Sequence, residues 1–268
     1  MKRLPLILAT AGILSLAANH VPAQEATWTG SWAAAPVAAP AEDNALGPAG
    51  KTYRDIVHLS LGGKAIRLRI SNEFSTTPLT VASVHVALST GGDAVQPASD
   101  RAVTFNAEPS VIIPAGAIAV SDAIALPVQP FTNLAVSLFV PEQPVVMLTV
   151  HTLATSTNYV AAGNVAALAS LVGSKKVAHW YLLKGIDVDA GPRAAAVVVL
   201  GASISDGYHS TPDKNERWPD DLAARLQAGK KTSQSSESGP ETCCGFVRGR
   251  RRRRLESWSK GPALSMNR

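Results

Sequence analysis

The sequence predicts a β-sandwich-like N-terminal domain followed by the first β-α unit of an incomplete α/β domain. Three observations carry this. From residue 53 to about 189 the apolar residues recur with period two between breaks at Gly, Pro and Asn. No segment of helical period interrupts those runs, which argues for antiparallel strands packed sheet on sheet. At Arg193 the texture changes to a continuous apolar run, a small-residue turn and an amphipathic segment.

The elements follow in order. "MKRLPLILATAGILSLAANHVPAQ" places Lys2 and Arg3 before an apolar run and ends on Val21-Pro22-Ala23. It reads as a signal peptide over residues 1–23, cleaved after Ala23, and predicts a secreted or periplasmic protein. The run is shorter than the roughly 20 residues that span a bilayer, and no membrane span is expected. The β-rich domain is expected over residues 24–190. Within it "KAIRLRIS" sets Ile66, Leu68 and Ile70 on one face and Arg67 and Arg69 on the other, and "NLAVSLFV" alternates in the same way at Leu134, Val136 and Leu138. "DIVHLSL", "LTVASVHVAL", "SVIIPAGAIAVS", "VVMLTVHTLA" and "HWYLLKGIDV" supply the other strands.

Residues 191–229 form the β-α unit. "AAAVVVLGA" is apolar on both faces, as a covered parallel strand requires. In "RWPDDLAARLQA", Pro219 suits a first helical turn, Asp220 and Asp221 suit a helix N-terminus, and Leu222 and Leu226 share a face. Ser203 lies in the turn between them, where sites form beyond the carboxyl ends of parallel strands.

Residues 230–268 have neither strand nor helix period and are expected to be disordered or out of frame. This tail holds both cysteines, the adjacent pair Cys243 and Cys244, whose spacing fits neither zinc nor a CxxC redox pair. It also holds the chain's basic excess. From Gly229 onward the net charge is +7, against +5 for the whole 268-residue chain, so everything before Gly229 is slightly acidic. Nucleic acid is therefore not expected as a partner, and no cofactor or metal-ligand cluster is legible.

"LGASISDG" followed by "RWPDDLAARL" resembles the first conserved block of the SGNH, or GDSL, hydrolases, usually written GDSITDG and NRWPDxLAxRL. "WTGSWAAAP", "YRDIVHLSLGGKAIRLRISNEF" and "LTVASVHVAL" are similar to the β-rich region that precedes the hydrolase domain in one secreted branch of that family. The resemblance covers residues 28–228 and implies a flavodoxin-like SGNH hydrolase domain in the second part. It also implies a serine ester hydrolase (lipase, acylhydrolase or carbohydrate esterase) that passes through an acyl-enzyme, acting on an ester substrate such as acetylated carbohydrate or lipid.

The resemblance makes Ser203 the nucleophile and its backbone N–H an oxyanion donor. The family's further oxyanion residues and its triad Asp and His, in a terminal DxxH, are absent from residues 229–268, and no histidine follows His209. The chain is accordingly expected to be inactive, because loss of triad members costs about 10⁶ in turnover. A truncation or frameshift between Leu226 and Ser235 would account for the change. Shifted by one base, residues 235–245 are compatible with a GIGTGNVL-like block of the kind the family has there.

Ala202 stands where the family has Asp, which bears on loop organisation and rate. "DIVH", Asp55 to His58, imitates DxxH, but residues three apart in a strand face opposite sides, so a surface carboxylate and a half-buried histidine are expected. His209 is expected in an exposed loop. The reading from a different class is a non-catalytic secreted carbohydrate-binding module, which exposed Trp28, Trp32 or Trp180 on one face would favour and burial of those residues would not.

Overall fold

The computed structural model describes residues 26–144, 147–233 and 241–244, so residues 1–23 and nearly all of the tail lie outside it. The described chain is β-rich with one α-helix. One sheet orders Trp28–Ala33, Leu183–Asp189, Ile66–Ser71 and Ile118–Val120. A larger one centres on Lys51–His58, with Asn133–Val140 and Asn158–Ala162 on its two sides and Ser83–Gly91 beyond Asn133–Val140. These ladders are antiparallel.

The period-two runs explain the core. Ile66, Leu68 and Ile70 are fully buried while Arg67 and Arg69 stay partly exposed and share the Asp187 carboxylate. Val57, Leu134, Val136 and Leu138 from the larger sheet meet them in one apolar core. The expected alternation in Asn133–Val140 fails on its second face, where Ala135 and Ser137 are also buried. The cause is Arg54, on the neighbouring strand, which is 1% exposed. Its Nε donates to Ser137 Oγ at 2.7 Å, and its two terminal nitrogens donate to the carbonyls of Asp93, Ala166 and Leu168 at 2.6, 3.2 and 2.7 Å. Burial pulls the guanidinium below its ordinary pKa, and nearby carboxylates, Asp93 first, oppose that pull. A cation thus roofs a face that hydrophobicity alone would have left wet.

Asp55, on the same strand, is wholly buried and accepts the Tyr181 N–H with both oxygens at 3.1 Å. Desolvation pushes its carboxyl well above the ordinary range, and the Tyr181 N–H opposes this. The unfolded carboxyl ionises first, so this group's contribution to stability is fullest below the usual carboxylate pKa. It declines as pH rises from there towards the folded-state value. Asp55→Asn is expected to flatten the fall in melting temperature between about pH 4 and the neutral range; an unchanged slope in calorimetry at several pH values would count against a protonated, buried Asp55.

The chain changes sheets at Leu182, whose φ of 61° is left-handed although the residue is buried. Before it, Trp180–Tyr181 pairs with Thr149–His151; after it, Leu183–Asp189 pairs with Ile66–Ser71. That corner brings Trp180 and His151 together.

The strand after Arg193 is shorter than expected, Ala194–Val197, and pairs in parallel with Glu241–Cys244. The continuous apolar run is not covered on both faces: Val198 is 50% exposed and Leu200 91%. Among the described residues no further strand flanks it. The helix runs Trp218–Ser233, past the expected boundary at residue 229. Ala223, not the flanking Leu222 and Leu226, is its fully buried residue, and Gln227 Nε2 donates to Ser60 O at 3.1 Å.

Candidate functional site

Residues 201–210 form a tight turn between the short strand and the helix. Ala202 O accepts the N–H groups of Ser205 and Asp206 at 2.9 and 3.1 Å, and Ser203 O accepts Tyr208 N–H at 2.8 Å. Gly207 closes the turn at φ 90°, and a Cβ there would overlap the Arg217 side chain. Ser203 itself is exposed, and neither its hydroxyl nor its N–H has a partner among the described residues. His209 is exposed, with its ring edge-on to Tyr208.

The turn is tied to the β domain. Asp213 N–H donates to Thr155 O at 3.0 Å, and the Asp213 carboxylate accepts from Thr157 N–H and Oγ1 at 2.5 and 2.7 Å. Arg217 is gripped by Asp220 through Nε at 2.7 Å and Nη2 at 3.2 Å, and its guanidinium lies 5.8 Å from the Trp180 ring centre.

Between turn and sheet lies a cavity of about 80 Å³, lined by His58, His151, Trp180, Ser205, Asp206 and Arg217 among others. His151 is 7% exposed and its ring lies tilted against Trp180, with ring centres 5.6 Å apart. Its Nδ1 lies 2.7 Å from Ala35 O, an acceptor, so Nδ1 carries a proton. Its Nε2 lies 3.6 Å from Asp206 Oδ1. Sequence reasoning missed His151, and no signal could have found it. It sits in a short apolar strand and reaches the serine turn only through folding.

The structure brings Ser205, and not Ser203, to this cavity. Asp55 and His58 do not meet, as the strand argument requires: Asp55 holds Tyr181 N–H, while His58 Nδ1 lies 2.7 Å from Asn133 Oδ1 at a half-exposed strand end. Asp55 is the opposite of the surface carboxylate expected of it, because strand Lys51–His58 is covered on both faces.

Trp32 and Trp180 behave as core. They are 5% and 3% exposed and pack edge to face, with ring centres 5.0 Å apart. Trp28 is half-buried beneath Arg67. They form no open platform on which a sugar ring could stack. Among the described residues no three His, Cys, Asp or Glu side chains converge as a metal site requires, and no helix is long and apolar enough to cross a membrane. No family model matches the chain, and no curated protein matches it.

Proposed function

We propose that this chain is, by descent, an exported SGNH-type ester hydrolase whose Ser203 turns over no substrate in the described arrangement. Support for the lineage is the "LGASISDG" and "RWPDDLAARL" block together with its placement on a turn between a strand and a helix. The substrate class it implies is an ester, such as an acetylated carbohydrate or a lipid. The observation that carries the silence of Ser203 is its exposed hydroxyl with no acceptor among the described residues to take its proton. An alcohol is a weak nucleophile until a positioned base removes that proton.

The experiment is hydrolysis of a short-chain aryl ester by the purified chain and by Ser203→Ala. Equal rates are expected. A rate that disappears in the variant would show that Ser203 is assisted after all.

A further inference from the structure

We propose that the cleft between the larger sheet and the loop after the serine turn binds a small hydroxylated carboxylate. Lys176 and the Tyr159 hydroxyl take its carboxylate, and the Asn133 and Asn215 amides take its hydroxyls. The proposal goes beyond the ester-hydrolase reading and uses none of its residues.

The register of the sheet builds the cleft. Tyr159 stands opposite Lys176 of the edge strand Lys175–Val177 on one side and opposite Arg54 on the other. Two residues along from Arg54, Ile56 opposes Ala135, and two further on His58 opposes Asn133. Strand alternation therefore sets Tyr159, Lys176, Ile56 and Asn133 on one face, turned away from the core residues Val57 and Leu134. All four line a cleft of about 330 Å³, which Gly91 and Gly92 from one hairpin and Asp213 and Asn215 from the loop help to enclose. That volume lies at the lower end of the roughly 300–1,000 Å³ of small-molecule sites.

Tyr159 supplies the observation that points to a ligand. The residue is 6% exposed, yet its hydroxyl has no hydrogen-bond partner among the described residues. The hydroxyl ends at the cleft: a Cβ on Gly92, another lining residue, would stand 3.7 Å from Tyr159 Oη. A polar group carried this deep is normally satisfied, and here the open side is the cleft. Desolvation, then Asp213 and Asp93, raises the phenol above its ordinary pKa, so it remains a proton donor.

The other groups decide the class of ligand. Asp213, the acid at the cleft, is spent on Thr157, whose N–H and Oγ1 it accepts at 2.5 and 2.7 Å. Asp93 is held by Ser170 Oγ and Leu171 N–H. Asn133 Oδ1 accepts Asn215 Nδ2 at 3.4 Å and lies 2.7 Å from His58 Nδ1, which leaves Asn133 Nδ2 and Asn215 Oδ1 open. Lys176 is exposed and forms no ion pair among the described residues. The unspent side-chain groups are thus three donors, Lys176 Nζ, Tyr159 Oη and Asn133 Nδ2, against one acceptor, Asn215 Oδ1. Donors in excess, one of them cationic, suit an anion. Directly opposed strand residues have Cβ atoms about 4.5–5.5 Å apart, close enough for the lysine and the tyrosine to share one carboxylate. The two amides beyond them, one donating and one accepting, suit hydroxyls, and the partly buried Ile56 offers the carbon chain an apolar contact.

The test is calorimetric titration of the full chain with gluconate, with sorbitol as the neutral chain of the same length and acetate as a carboxylate without hydroxyls. Gluconate is expected to bind, and sorbitol and acetate at least about tenfold more weakly. Lys176→Met should weaken gluconate at least about tenfold while leaving sorbitol unchanged, and Tyr159→Phe should weaken gluconate about fivefold. The melting temperature should hold in both variants, because the lysine is exposed and the tyrosine hydroxyl has no partner within the fold to lose. Sorbitol or acetate binding as tightly as gluconate overturns the proposal. So does gluconate that fails to bind, or that binds either variant as it binds the unaltered chain.

Discussion

Arg54→Met is expected to destabilise the chain by about 3–5 kcal/mol, because four acceptors lose a charged donor and two of those hydrogen bonds are fully buried. The methionine fills much of the volume, so the loss is one of hydrogen bonding and not of packing. For a chain of this size the melting temperature falls by roughly 2–4 °C per kcal/mol. The guanidinium fixes carbonyls from two separated segments, Asp93 on one side and Ala166 and Leu168 on the other. Both should loosen together, with amides in residues 163–171 exchanging faster than those of the central strands. Arg54→Lys keeps the charge but not the fork, and should fall between the two. Thermal denaturation giving a loss below about 1 kcal/mol for Arg54→Met would contradict the role assigned to this residue.

Trp180→Ala is the second large effect, again about 3–5 kcal/mol, and its cost comes from packing. The indole meets Trp32 edge to face and lies against the His151 ring at a 30° tilt, with the Arg217 guanidinium above it. Its Nε1–H donates to Ile56 O at 2.8 Å. Because Ser156 Oγ donates to the same carbonyl at 3.3 Å, losing the indole hydrogen bond alone is mild. Trp180→Phe should therefore cost far less, about 1 kcal/mol for the bond beyond the lost ring area. Urea denaturation of the two variants distinguishes the terms. Equal losses would mean that the hydrogen bond, not the ring, holds the corner at Leu182.

How much of this was legible depended on the range of the interactions. The face of Ile66, Leu68 and Ile70 could be read directly, because a strand's pleat converts spacing into burial without help from elsewhere. Ser137 and Asp55 could not, since what covers them is an arginine's hydrogen bonds and a second layer of chain distant in sequence. The apolar run after Arg193 predicted a longer, covered strand, but burial on two faces needs neighbours that composition cannot supply. The helix was legible from Pro219, Asp220 and Asp221, and its packing residue, Ala223, was not. For the site, the resemblance pointed to the turn at Ser203, which the structure places between a short strand and the helix with its hydroxyl exposed. That His151 and Asp206 line one cavity was decided by the sheet corner at Leu182, which nothing in the sequence marks.

The proposal for Ser203 rests on its hydroxyl having no proton acceptor among the described residues. Rapid mixing with an aryl acetate, acid quenching and peptide mapping of the acetyl group test it most directly. No acetyl on Ser203 is expected at any time after mixing. A stoichiometric burst that leaves the acetyl on Ser203 would contradict it.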